Sequence, residues 1–349
     1  MDRYVGLDVH LRSSTIGVIC ARGKRIKTLV VETNGQAMVE AIRLIPGKLH
    51  ICLEEGTQSA WLVELLRPYA KEIVVSLPDR IRGAKSDKRD AWKLAEELRT
   101  DAVRCSVYKA PAHLAALQCA VRGDLMTMQD LVRVRNRLKA VFRSRGIVTD
   151  ASVYNPELRP ALIAQLPRAQ QQLAELLGRE LDILEPLREQ AQKWLFAEAK
   201  THPIVRILST APGLGRTRTA QLVAVVATPH RFRTRRQFWS YCGMGVVTRS
   251  SSDWKQRDGS WLYAPVQQTR GLNRRRNALL KAVFKGAATT VIRQLPDDPL
   301  HAHYLRMLDS GIKPTLAKLT LARRVAATVL SMWKHEEVYD PKRHAVVND

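Results

Sequence analysis

Three β-rich stretches follow one another at the start of the chain, and strands then alternate with helices; few folds accept that order. Strand signals fall at about 3–9, 14–20, 26–32, 49–54 and 72–76. Ser14-Thr15-Ile16-Gly17-Val18-Ile19 is rich in β-formers, and Ala21-Arg22-Gly23-Lys24 reads as the turn to the next strand. Helical signals fall at about 35–45, 58–69 and 88–99. Asn34-Gly35 is turn chemistry ahead of the first, and Trp61, Leu62, Leu65 and Leu66 give the second an apolar stripe. The order implies a mixed sheet flanked by helices.

Four acids are placed where such a sheet ends. Asp8 lies in Tyr4-Val5-Gly6-Leu7-Asp8-Val9, and Glu54 closes His50-Ile51-Cys52-Leu53-Glu54. Asp87 and Asp90 lie in Ser86-Asp87-Lys88-Arg89-Asp90-Ala91, where a helical pattern begins. Carboxylates at strand ends and a helix start can converge, and four together repel unless divalent cations sit among them. Oxygen-only ligands suit magnesium or manganese. Two such ions at phosphate-bridging distance break and join nucleic-acid backbones. Plainer readings exist: an N-cap with an acidic third position, and Glu54-Glu55 as a solvated strand end. Asp8 fits them least, because a carboxylate amid Val and Leu is costly to bury.

The charge balance points the same way. In 349 residues, 57 Lys and Arg stand against 33 acids, a net +24. That excess implies a polyanionic partner, with nucleic acid first and a membrane surface as the dull alternative. It is concentrated at 204–293, where 17 basic residues face only Asp253 and Asp258. The five cysteines form no C-x-x-C pair, which argues against zinc and for reduced thiols in a cytosolic protein. No signal peptide and no membrane-length apolar run are visible.

Beyond the first block, residues 111–146 read as one long helix, from Pro111 to Gly146. Its later half is rich in Arg. Pro156, Pro160 and Pro167 break the pattern. Leu173, Leu177, Leu181 and Leu184 then mark a second helix with coiled-coil spacing, which Pro186 is expected to interrupt. Pro212-Gly213-Leu214-Gly215-Arg216 leads into a helix at about 217–226, a turn that offers backbone N–H groups to a phosphate. In Arg231-Phe232-Arg233-Thr234-Arg235-Arg236-Gln237-Phe238-Trp239, arginines alternate with aromatics, either to stack on bases or with the aromatics as core. Thr248-Arg249-Ser250-Ser251-Ser252-Asp253 reads as a polar loop whose serines are candidate nucleophiles. Asn273-Arg274-Arg275-Arg276 opens a helix at about 274–292, helical patterning continues to about 333, and the tail after Asp340 is expected to be loose.

These blocks together resemble the DEDD transposases, or serine recombinases, of bacterial insertion sequences, relatives of the Piv DNA invertase. The residues that carry the likeness are Gly6-Leu7-Asp8, Cys52-Leu53-Glu54-Glu55-Gly56-Thr57 and Ser86-Asp87-Lys88-Arg89-Asp90-Ala91. In the second half they are Pro212-Gly213-Leu214-Gly215, then Arg231-Phe232 through Arg236-Gln237-Phe238 to Gly243, then Ser250 to Ser252. The resemblance implies an α/β RNase H-like (RuvC-like) domain at 1–108, a mainly α-helical linker at 109–200, and a C-terminal transposase domain at 201–340.

It further implies that Asp8, Glu54, Asp87 and Asp90 bind Mg2+ (or Mn2+). A serine, at Ser251 when counted without gaps from Gly243, would attack the DNA backbone and form a phosphoserine. Ser252 stands where the family has glycine, so Ser250 and Ser252 stay open, as does Glu55 beside Glu54. Gly213, Gly215, Arg216, Arg231, Arg233, Arg235, Arg236, Arg249, Arg274, Arg275 and Arg276 would contact nucleic acid. The implied partners are donor and target DNA, a structured bridge (guide) RNA, and further copies of the chain as a dimer or tetramer, in the bacterial cytoplasm. The alternative is a metal-dependent nuclease of Holliday-junction-resolvase type, which hydrolyses DNA without a serine.

Overall fold

A computed structural model describes residues 1–78, 86–103 and 105–343; at 248–253, 255, 257 and 262–270 the backbone alone is described. The chain divides into two compact units, Met1–Ala112 and His113–Asp349.

The first unit contains β1 (Asp2–Val9), β2 (Ser13–Cys20), β3 (Arg25–Glu32), α1 (Gly35–Arg43), β4 (Lys48–Glu54), α2 (Ser59–Leu66), β5 (Glu72–Ser76) and α3 (Asp87–Arg99). The five strands form one sheet in the order β3-β2-β1-β4-β5. The β1–β2 and β2–β3 pairs are antiparallel, and β1–β4 and β4–β5 are parallel. The mixed sheet expected from the sequence is therefore present, and each strand lies within a residue or so of its expected range.

Alternation along the strands sends Val5, Leu7, Ile16, Val18, Leu49, Ile51 and Leu53 into a core with Met38 and Ile42 of α1 and Leu62 and Leu66 of α2. The opposite face of β1 carries Gly6. A Cβ there would stand 1.9 Å from the Ala91 carbonyl oxygen and 2.7 Å from the Ala95 nitrogen of α3. Gly17, the register partner of Gly6 on β2, is also close, with Ala91 C and Trp92 N at 3.2 Å from its would-be Cβ. The two glycines open a shallow seat into which the backbone of α3 sinks.

The second unit contains α4 (Ala115–Arg143), α5 (Arg159–Ile163), α6 (Arg168–Lys200), α7 (Pro203–Leu208), α8 (Arg216–Val226), α9 (Arg235–Tyr241), β6 (Val246–Arg257), β7 (Ser260–Leu272), α10 (Ala278–Gln294), α11 (Pro299–Asp309) and α12 (Pro314–His335). Leu131, Val134, Leu138 and Phe142 of α4 pack with Ala174, Leu177 and Leu181 of α6. Pro186 does not interrupt α6, contrary to expectation; the helix runs 33 residues through it. An internal proline costs about 3 kcal/mol. Here α6 is buried both before Pro186, at Leu181, and after it, at Leu195, so packing on either side holds the helix across the missing N–H.

The long helix expected from 111 starts as a 3-10 turn at Ala112–Leu114, and the helix expected from 274 starts at Ala278, capped by the Asn277 side chain on the Leu280 nitrogen. The serine segment is no loop. Residues 246–257 pair antiparallel with 260–272, and Asp258 (φ 52°) and Gly259 (φ 77°) close the hairpin. Both turn residues are left-handed, which matches the strand twist. The side chains of Ser251 and Arg249 and the tail at 344–349 lie outside the described residues.

Buried Arg159 fastens α5 to α6 through two bonds to the Asp182 carboxylate, 2.8 and 2.7 Å long. The hydrogen bonds from Arg159 hold the Asp182 carboxyl below its usual range. The pair therefore stabilises the fold fully above the ordinary Asp pKa, and that stability is lost as pH falls through the lower folded value. Acid titration of Arg159→Leu, followed by circular dichroism, should show a shallower loss of stability over that acidic window than the parent chain.

Candidate active site

Parallel pairing of β1 with β4 matches Leu7 to Leu53. One step further on, Asp8 and Glu54 therefore end adjacent strands on the sheet face opposite those two buried leucines. The α3 helix crosses this face on its glycine seat, with Asp87 and Asp90 in its first turn. The Asp8 side chain is only 16 % exposed, whereas Asp87 is open to solvent. Burial pushes the Asp8 carboxyl above its usual range; His10 opposes this, and the charges of Asp87 and Asp90 add to it. Both α3 acids thus act on Asp8 through the local field.

A residue absent from the sequence reading joins them. His10 Nε2 lies 3.5 Å from Asp8 Oδ2 and 3.4 Å from Asp87 Oδ1. One ligand atom from each of Asp8, His10 and Asp87 falls within 4.8 Å of the others. Glu54 and Asp90 do not join that closest group. The available signal was Asp8-Val9-His10, an i, i+2 spacing that returns to the same face of a strand. Glu55, the rival to Glu54, is engaged elsewhere: its carboxylate meets Lys109 Nζ at 2.5 Å and accepts from Ser59 Oγ at 3.2 Å. The neighbouring Cys52 is no competing nucleophile, since burial pushes its thiol up to about 12.

The expected nucleic-acid residues fall into two groups. Some hold the fold together. Gly213 has φ +73°, and a Cβ on it would stand 2.3 Å from the Ala287 carbonyl oxygen of α10. Arg231 donates to the Val226 carbonyl at 3.1 Å and lies over Phe232 and Tyr241. Arg276 lies along Gly243, where a Cβ would meet its Cδ at 2.0 Å. The two phenylalanines of this stretch are core: Phe238 is wholly buried and contacts Phe232 and Phe284.

The others face solvent. Gly215, the N-cap of α8, has open space where a Cβ would be. Arg216, Arg233, Arg235, Arg236, Arg274 and Arg275 are exposed. Arg233 and Arg275 rim a cavity of about 460 Å³ whose floor includes Gln237, Ser240 and Asn273. Arg235 rests over Trp239.

A mixed-sheet domain with acids at its strand ends, followed by a helical unit, fits the DEDD transposases. Residues 5–145 match the IS110-type DEDD transposase family, and residues 205–304 match the family described as Transposase IS116/IS110/IS902. The two matches follow one another and together span about two thirds of the sequence, so the chain belongs to the IS110/IS116/IS902 transposases. No curated protein matches it. Membership makes it an enzyme of DNA strand cleavage and transfer, of a kind that typically uses a divalent metal. Among the described residues no helix is long and apolar enough to cross a membrane.

Proposed function

We propose that the chain cuts and rejoins DNA at an RNase H-like site where Asp8, Glu54, Asp87 and Asp90 hold Mg2+ or Mn2+, with Ser251 as the nucleophile. The observation that carries this reading is the gathering of Asp8 and Asp87 at one end of the sheet, with Asp90 adding to the field on Asp8. Like charges at this spacing raise the proton affinity of a sheltered carboxylate, and a divalent cation relieves the same repulsion. The donor set is mainly carboxylate oxygen, which suits a hard cation. The sheet order, with three antiparallel strands and then two parallel ones, supports the RNase H-like assignment.

When bound, such a cation stabilises charge on the phosphoryl oxygens and eases deprotonation of the attacking hydroxyl. His10, between Asp8 and Asp87, orients both carboxylates. Ser251 forms a phosphoserine that conserves the energy of the broken phosphodiester, so rejoining needs no ATP. The exposed arginines of the second unit contact donor and target DNA and a structured guide RNA, and the chain works as a dimer or tetramer. These partners rest on the likeness to the family.

The test is a cleavage assay on DNA carrying the element's ends. Asp8→Asn should slow cutting by about 10³-fold, the order lost when a charge-stabilising group leaves an active site. Ser251→Ala should lose both strand exchange and the covalent protein–DNA adduct seen on a denaturing gel. Hydrolysis without a serine is the second reading. The cluster on the first unit favours it, because those acids can direct a water by themselves. Continued cutting by Ser251→Ala would select it, and full activity in Asp8→Asn would remove both readings.

A further inference from the structure

A cleft of about 470 Å³ lies beside the carboxylates, between the start of β3 and the outer face of α3, within the range of about 300–1,000 Å³ that small-ligand sites occupy. Asp90, in the first turn of α3, lines the end of it nearest the acidic cluster. Its other functional lining is Arg25, Ser86, Arg89, Trp92 and Lys93. We propose that this cleft seats an unpaired nucleotide of the DNA strand next to the phosphate that is cut. The proposal rests on the reading of Asp8, Asp87 and Asp90 as the cutting site.

The chemistry of the walls selects that ligand. The Arg25 guanidinium lies 5.2 Å from the Trp92 ring centroid. At that distance the guanidinium is close enough for a cation–π contact, and it brings N–H donors for phosphate oxygens beside an aromatic ring on which a base can stack. Trp92 is held in place because α3 sinks onto Gly6 and Gly17.

Of the two acids that line the cleft, Asp90 is assigned to the metal site and Glu96 is engaged by a cation outside the lining. Glu96 is occupied by Arg99, whose Nε donates to it at 2.9 Å. Arg25 and Arg89 are both exposed, and among the described residues neither forms an ion pair with a carboxylate. Two uncommitted guanidiniums and an aromatic face suit one phosphate and one base. The base must be unpaired, because within a duplex both of its faces are covered by neighbouring bases.

The test uses the full-length chain, EDTA, and a single-stranded DNA oligonucleotide carrying 5-iododeoxyuridine. Irradiation crosslinks iodouracil to an aromatic ring stacked on it, and peptide mass spectrometry locates the adduct. We expect an adduct on Trp92, with its yield reduced about tenfold in Arg25→Ala/Arg89→Ala, the order that loss of one hydrogen bond to a charged group costs. Manganese binding by the double variant, read by electron paramagnetic resonance, should match the parent, which shows the acidic cluster undisturbed.

Adducts confined to other peptides would overturn the proposal, as would a Trp92 adduct with unchanged yield in the double variant. So would preferential labelling by an RNA oligonucleotide of the same sequence. The crosslink needs no metal, so the two readings fail separately. Asp8→Asn that still cuts removes the cutting site, and with it the cleft's place beside the cut phosphate. Asp8→Asn that fails to cut but still labels Trp92 supports both.

Discussion

Gly6→Ala should unfold the carboxylate-bearing unit well below the melting temperature of the parent chain. A new methyl at this position would stand 1.9 Å from a backbone oxygen of α3, at Ala91, and 2.7 Å from a backbone nitrogen, at Ala95. No side-chain rotation can relieve a clash with backbone. Either α3 lifts from the sheet or β1 bends away from β4, its partner in the core. Overpacking typically costs 1–3 kcal/mol, and this site belongs at or above about 3 kcal/mol. For a unit of this size, that corresponds to a fall in Tm of roughly 12 °C or more.

Two further variants rank the effect. Gly17→Ala meets α3 backbone at 3.2 Å and should cost less, while Gly56→Ala meets nothing within 4 Å and should be near neutral. Differential scanning calorimetry of the three variants gives the order, and equal Tm values for Gly6→Ala and Gly56→Ala would contradict it. Any Gly6→Ala that remains folded should bind manganese more weakly, because α3 carries Asp87 and Asp90.

That dependence shows what could be read from the sequence and what could not. Alternation of apolar residues in 2–9, 13–20 and 48–54 is a local property, and the strands coincide with it. The acids were conspicuous because they stand at the ends of such strands. The seat beneath α3 is a tertiary match between Gly6, Gly17, Ala91 and Ala95, and no periodicity announces it.

A single histidine beyond a strand end carries no pattern, so the sequence marks His10 only by its spacing from Asp8. The hairpin at 246–272 was legible in principle. Asp258-Gly259 between β-rich flanks is a strong hairpin signal, but the serines before it suggested a loop. In 231–241 composition could not separate stacking aromatics from core ones. The burial of Phe232 and Phe238 and the exposure of Arg233, Arg235 and Arg236 separate them. At Pro186 the local helix-breaking propensity of about 3 kcal/mol is outweighed by the packing of a 33-residue helix, which the local sequence does not show.

The long helices carry a second vulnerable contact, and it sets the last expected result. Asp124 on α4 is 1 % exposed, and its carboxylate accepts a short hydrogen bond from Arg188 on α6. Asp124→Ala leaves the Arg188 guanidinium, itself largely buried, facing an apolar interface with no counter-charge. Breaking a buried pair from one side costs about 3–5 kcal/mol. Arg188 retains some access to solvent, with a side chain 19 % exposed, so the lower end applies.

A fall in Tm of about 6–12 °C for the helical unit follows from that cost. Removing both charges should be far milder. Asp124→Leu/Arg188→Met fills the same space with apolar atoms and should recover most of the loss, because no charge is left without a partner. A double-mutant cycle measured by guanidinium unfolding decides the matter. A double variant no more stable than Asp124→Ala would mean that the helices depend on the specific hydrogen bond and not on the avoidance of a lone buried charge.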